Sequence, residues 1–289
     1  MIKKFRYLIE FILLKILFFL FLVLPLGIAS KISGKIFRFL GSIFYVNKIA
    51  IKNCKIVLPN LDSNKIKLIL HQSWENLGSN IIELSRLSEI INEQNKIKIE
   101  GLENIKEVLD QKKQAIFFGI HQSNWEICVP LITKLGVNVG AIYRHVNNYY
   151  IEKLVYNFRI SSLTSQKSFY TPKGAKSAKD IITGLKKEKS IFLLIDQKDS
   201  AGEEVKFFGK NVKTQLGFLK IARKHKLPMI GMENKRLNNG SFLIKFKNPI
   251  YHNDINISDK KKMHEIHLII EKWILENPSQ WFWQHKRFN

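Results

Sequence analysis

At 289 residues, with 45% apolar and 25% charged side chains, the chain has the composition of an ordinary globular protein of one large or two small domains. That excludes a disordered tail and a polytopic membrane protein. The 47 Lys and Arg against 24 Asp and Glu leave a net charge of +23, which favours an anionic partner: nucleic acid, an anionic membrane face or an acidic protein. The abundance of Ile, Asn and Lys also fits a coding bias that would raise Lys without a function behind it. Two cysteines, Cys54 and Cys128, are too few for a disulfide framework.

Residues 16–29 form an uncharged apolar run. As one helix the run covers roughly 21 Å, and extended back to Phe11, past Lys15, roughly 28 Å, against a bilayer core of ~30 Å. Lys3, Lys4 and Arg6 precede it; Lys31, Lys35, Arg38, Lys48, Lys52 and Lys55 follow, with no acid among residues 30–55. This pattern predicts an anchor over residues 1–30, either a single span or a deep interfacial helix. The heavier basic flank places the body, residues 31–289, in the cytoplasm. A cleaved signal peptide ending near Gly27-Ile28-Ala29 is the competing expectation.

Beyond the anchor, Ile66, Ile69, Leu70, Trp74, Leu77 and Ile81 recur at helical spacing, so residues 62–91 read as helices, capped by Asp62 or Ser63. From residue 97 short apolar strands alternate with amphipathic segments. Strands are expected at 97–99, 115–120, 137–143, 190–195, 228–233 and 242–246. Helices are expected at 103–112, 125–134, 148–159, 174–187, 214–225 and 259–276. Residues 161–173, rich in Ser, Thr and Lys, read as a mobile loop. The alternation predicts an α/β fold with a mixed, mainly parallel sheet flanked by helices.

His121 follows a buried strand and Glu126 lies in the first turn of the next helix, a strand-end position where α/β sheets place reactive groups. An imidazole there could take a proton from a hydroxyl while a carboxylate fixes its tautomer. The spacing alone is weak, since about 0.7 such pairs arise by chance in a chain of this composition. Ser123-Asn124-Trp125-Glu126 also fits a capping box, in which Glu126 only satisfies helix-end donors. Asp196-Gln197 follow the strand at 190–195, as a second polar element or as an ordinary strand end. Arg159 closes an amphipathic segment, where it would meet a phosphate or carboxylate or complement a helix dipole. Phe207-Phe208-Gly209 would line an acyl pocket or belong to the core. His264 and His267 fit a solvated helix face, without the further ligands that a metal needs. Cys128 fits a buried apolar position. No GxGxxG, Walker loop or G-x-S-x-G elbow is present.

Taken in order, GIHQSNWE at 119–126, IYRHVNN at 142–148 leading to Arg159, LLIDQ at 193–197, KFFGKNVKT at 206–214, the segment from Pro228 to Arg236, and NPSQWFWQHKRF at 277–288 resemble the bacterial lipid A biosynthesis lauroyl/myristoyl acyltransferases, over nearly the whole chain. The chain departs from the family at Tyr143-Arg144-His145 and Asn147-Asn148, where the family often has Tyr-Arg-Pro and Asn-Pro. The glycerol-phosphate acyltransferases share a similar His-x4-Asp motif, but their Glu-Gly-Thr-Arg block has no counterpart here.

The resemblance implies His121 as general base, with Glu126 orienting and charge-stabilising it. Arg159 and Asp196 match polar positions that the family needs for activity. It implies transfer of an acyl chain from acyl-acyl carrier protein to a hydroxyl of a lipid A precursor at the inner membrane, with acyl carrier protein, the lipid and an anionic membrane surface as partners. Neither a cofactor nor a metal is implied. Alternative expectations are another glycolipid or phospholipid acceptor, and a non-enzymatic scaffold binding anionic partners through its charge. A nucleic-acid-binding protein would need a basic recognition helix or interleaved aromatics, which are not found.

Overall fold

A proline divides the apolar N-terminal run. In the computed structural model, which describes residues 2–288, helix α1 (Ile2–Leu22) ends three residues before Pro25, and α2 (Leu26–Leu40) begins just after it. Proline has no N–H to continue the ladder, and its ring disfavours helix in the residue before it. The expected uninterrupted helix over 11–29 is therefore corrected to two helices. α1 carries Lys3, Lys4, Arg6, Glu10 and Lys15. Among the described residues no helix is long and apolar enough to cross a membrane, so the spanning form of the anchor is not met. Gly27-Ile28-Ala29 lies inside α2, with Ala29 fully buried. Met1 and Asn289, the outer ends of the two expected segments, lie outside the described residues.

A turn of 3₁₀ helix leads into α3 (Val46–Val57), and α4 (Ser63–Leu84) and α5 (Leu87–Asn92) follow. Asp62 caps α4 by accepting from the backbone N–H groups of Asn64 and Lys65. α2 lies against α4 through small residues. A Cβ on Gly78 would sit 2.7 Å from the Ser33 carbonyl oxygen, and the Ser33 hydroxyl donates to Gly78 O at 2.7 Å. α1 is held to the body by Asn148, whose Nδ2 donates to Tyr7 O and to Glu10, and by Phe18, which packs edge-on against Phe158.

The α/β body contains β1 (Ile97–Glu100), α6 (Lys106–Asp110), β2 (Ile116–Gly119), α7 (Cys128–Lys134), β3 (Val139–Tyr143), α8 (Tyr149–Ser161), β4 (Phe169–Pro172), α9 (Ala175–Lys186) and β5 (Ser190–Leu194). A hairpin, β6 (Glu203–Phe207) and β7 (Lys210–Thr214), precedes α10 (Gly217–His225), β8 (Met229–Arg236), β9 (Phe242–Phe246) and α11 (Asp259–Glu276). The sheet order is β1-β9-β8-β2-β5-β3-β4, parallel at every junction except β8–β9. This is the expected mixed, mainly parallel sheet with helices on its faces.

Central strands of such a sheet are buried on both sides and read as continuous apolar runs. In β2, Ile116 and Phe118 face the core built with α10 and α11, while Phe117 faces the core built with α5 and α7. Ile191, Leu193 and Phe192 divide in the same way on β5.

Two segments differ from expectation. Residues 161–173 are not one loop: α8 runs to Ser161, and β4 pairs with β3 as an edge strand. Four residues closed by a proline give little periodic signal, and an edge tolerates the missing donor of Pro172. The hairpin was not anticipated, although Val205, Phe207, Val212 and Thr214 alternate as its buried face. Phe208 and Gly209, both with positive φ, form its two-residue turn. Phe207 is therefore core, stacked on Phe288.

Candidate active site

The register of two neighbouring strands builds the centre. β2 and β5 run parallel, with Gly119 opposite Leu194. His121 and Asp196 each lie two residues beyond that pair, so both emerge together at the carboxyl edge of the sheet. His121 Nδ1 is 2.7 Å from Asp196 Oδ1, and the His121 backbone N–H donates to Asp196 Oδ2 at 3.0 Å. Trp281 Nε1 donates to the same oxygen at 2.8 Å. Burial opposes ionisation of Asp196, but the adjacent His121 and the His121 and Trp281 hydrogen bonds outweigh it and hold the carboxyl well below its usual range. A carboxylate only accepts, so Nδ1 carries the proton and Nε2 is left as the ring's base. The His121 side chain is 17% exposed, with Trp125 and Phe282 beside the ring.

The expected His121–Glu126 pairing is not what the structure shows. Glu126 bonds Arg159 in a bidentate pair, Arg159 Nε to Oε2 at 2.8 Å and Nη2 to Oε1 at 2.6 Å. Trp125 Nε1 adds a third donor at 3.1 Å. Burial would raise the Glu126 carboxyl; the Arg159 charge and hydrogen bonds hold it below the usual range instead. Burial likewise opposes the Arg159 charge, and Glu126 more than restores it. The guanidinium also lies over the Tyr143 ring at 5.0 Å and the Tyr170 ring at 6.0 Å. Arg159 thus meets a carboxylate of its own chain. All four expected residues come together at one sheet edge, as two pairs: His121 with Asp196, and Glu126 with Arg159.

The loop between them is braced from behind. Ser123 is fully buried with φ +55°, a region costly for a side chain. Asn76 and Asn80 of α4 both donate to its carbonyl, and its N–H donates to Gln280 O at 2.9 Å. The short 3₁₀ turn at 125–127 that leads into α7 is capped by Asn124 rather than Ser123, through Asn124 Oδ1 accepting from Glu126 N–H. Asn124 Nδ2 donates to Glu83, which pairs with Arg236 through both oxygens and accepts from Ser30. Burial works against the Glu83 charge; Arg236 and these donors hold the carboxyl below its usual range.

These supporting residues were missed. Asn76, Asn80 and Glu83 stand at helical spacing on α4, so a run of polar side chains among the apolar Ile66, Leu70, Trp74 and Ile82 was the available signal. Trp281 lay within the C-terminal block without a role.

His267 is a further correction. It is buried rather than on a solvated face, 2.7 Å through Nδ1 from Lys206 O and 3.2 Å through Nε2 from Arg287. Cys128 is buried, its thiol pushed up to about 12 by that burial. Among the described residues no group of three or more His, Cys, Asp or Glu is placed to hold a metal ion.

The family model described as bacterial lipid A biosynthesis acyltransferase matches residues 2–289. The chain belongs to this family. Membership implies an acyltransferase of lipid A biosynthesis, and a lipid A precursor is consistent with it. No curated protein matches the chain. The paired strand ends place an imidazole hydrogen-bonded to a buried carboxylate beside the Glu126–Arg159 ion pair.

Proposed function

We propose that the protein transfers an acyl chain from acyl-acyl carrier protein to a hydroxyl of a lipid A precursor at the cytoplasmic face of the inner membrane, with His121 as general base. The observation that carries this is the His121–Asp196 hydrogen bond at the joined ends of β2 and β5. His121 Nε2 takes the acceptor hydroxyl proton as its oxygen attacks the thioester carbonyl. The tetrahedral intermediate then collapses, the C–S bond breaks, and the imidazolium returns the proton to the departing thiolate. The products are an ester and the carrier's free thiol, with no covalent enzyme intermediate. Asp196 fixes the tautomer and stabilises the charged ring. Glu126 and Arg159 hold the Trp125 wall of the site in place. General base catalysis supplies about 10²–10⁴-fold, and positioning supplies much of the rest.

Membrane association, in this proposal, is by insertion into one leaflet. Phe19, Val23, Phe39, Ile43 and Tyr45 are each at least 69% exposed. They lie on α1, α2 and the turns that follow these helices, among Lys3, Lys4, Arg6, Lys15, Lys31 and Lys35. Exposed apolar surface interleaved with basic side chains suits an anionic interface. The excess of basic residues also suits an acidic carrier protein.

Incubation of the purified protein with acyl-carrier thioesters of several lengths and a panel of lipid A precursors tests the reaction. One precursor is expected to gain one acyl chain by mass spectrometry. Acylation of another glycolipid or a phospholipid instead, with no precursor acylated, would move the acceptor, as the Tyr143–Asn148 departure allows. Release of no carrier thiol with any acceptor would leave the scaffold alternative standing.

A further inference from the structure

A cavity of about 310 Å³ opens between α3 and α4, with Ile51, Ile66 and Leu70 on its wall and Lys55, Lys67 and His71 among its polar lining. None of these residues belongs to the His121 centre. No acid lines the cavity, and the carboxylates near it are already engaged: Asp62 with the backbone N–H groups of Asn64 and Lys65, and Glu75 with Arg38 at 2.7 Å. Lys55 and Lys67 have no carboxylate partner among the described residues. Burial, with Lys67 and Arg38 nearby, holds the His71 imidazole below its usual range, the behaviour of a pocket short of negative charge.

The position of the cavity narrows the occupant. Ser42 and Asn47 belong to its lining, on either side of exposed Ile43, Phe44 and Tyr45. Asn47 is fixed by Trp74 Nε1 at 3.0 Å, and Gly41 allows the turn to lie on the Trp74 ring, where a Cβ would come within 2.2 Å. The mouth of a basic, apolar-walled cavity therefore adjoins surface that the leaflet-insertion proposal places at the membrane.

We propose that this cavity is a second, non-catalytic lipid site that holds the phosphate headgroup and upper acyl carbons of an anionic membrane phospholipid. Lys55 and Lys67 meet the phosphate, His71 hydrogen-bonds it, and Ile51, Ile66 and Leu70 take the start of the chain. One bound lipid would fix the tilt of the protein on the leaflet, a role that the diffuse basic surface cannot fill. The assignment rests on the membrane reading, but a soluble lipid tests it without a membrane.

Dihexanoyl phosphatidic acid, kept below its micelle-forming concentration, is titrated into the full chain by calorimetry. One saturable site is expected. The double substitution Lys55→Ser/Lys67→Ser should weaken binding about 10- to 100-fold, the loss of one or two charge-assisted hydrogen bonds. Ile51→Trp, which fills the cavity and keeps every charge, should abolish binding while association with anionic vesicles persists. Lys186→Ser/Lys187→Ser, which removes two exposed lysines at the end of α9, should change nothing. Absence of a saturable site in the wild type, equal weakening by the α9 pair, or equal affinity for inorganic phosphate would overturn the proposal. Failure of the wild type to bind anionic vesicles would instead overturn the membrane reading, whatever the calorimetry shows.

Discussion

The ring of His121 and the guanidinium of Arg159 answer to different carboxylates, and the two pairs predict different defects. Asp196→Asn keeps the shape but replaces an acceptor-only carboxylate with an amide that can donate, so the His121 tautomer is no longer fixed. Turnover should fall about 10²–10⁴-fold with little change in melting temperature. Glu126→Ala strands a buried Arg159 charge. It should cost about 3–5 kcal/mol, read as a lower urea midpoint, and its activity loss should be accompanied by that destabilisation. A Glu126→Ala enzyme with wild-type stability would contradict the ion-pair role. His121, Glu126, Asp196 and Arg159 were all legible as polar residues at strand ends or on a following helix. Their partners were not, because local spacing suggests His121 with Glu126, five residues on. The real pairing depends on which strands are neighbours and in what register, a non-local property that no window of sequence contains.

At the scale of elements, α4 and the C-terminal segment hold the site loop. Gly78→Ala would force a Cβ against the Ser33 carbonyl, prying α2 from α4. A cost of about 1–3 kcal/mol is expected, and since α4 carries Asn76, Asn80 and Glu83, turnover should drop with stability. Equal melting temperatures for variant and wild type would show that the contact relaxes freely. Acid should loosen the C-terminal segment. His267 and His285 are both held down to about 3, chiefly by burial, and each is bonded as the neutral ring; His285 Nε2 accepts from the Lys198 N–H. Between their unfolded value near 6.5 and about 3, the unfolded chain binds protons that the folded chain does not, so stability falls as pH falls. The slope is up to about 1.4 kcal/mol per pH unit for each group. Urea midpoints at pH 7 and pH 5 measure it, and His267→Gln should flatten the difference. The long helices and buried strands were legible from periodicity. β4 and the hairpin were not: one is a short edge strand, and the aromatic pair of the other reads equally as lining or core.

For the whole molecule, the sequence offered an anchor and the structure offers a broad apolar and basic surface instead. The run suggests a span only if it is extended back to Phe11 and Pro25 is ignored. That proline, and the charges within α1, turn the signal into two helices packed on the body. Binding to anionic vesicles should weaken between about 0.05 M and 0.5 M salt, as screening shortens the electrostatic reach from above 10 Å to a few ångström, but should not vanish, because the apolar contribution survives. Phe39→Glu/Ile43→Glu should remove that salt-resistant part in a flotation assay; unchanged flotation would place the contact elsewhere. The fold class was legible because strands and helices alternate along the chain. The net charge was not decisive alone, and its meaning comes from where the basic residues lie.

The central claim is that His121, oriented by Asp196, takes the acceptor's proton. The most direct measurement is single-turnover acyl transfer by purified wild-type, His121→Gln and Asp196→Asn proteins, from an acyl-carrier thioester to a lipid A precursor, each with its melting temperature recorded. The account predicts that both variants stay folded, that His121→Gln loses at least about 10²-fold in rate, and that Asp196→Asn loses a comparable amount. A folded His121→Gln protein transferring acyl chains at the wild-type rate would contradict it.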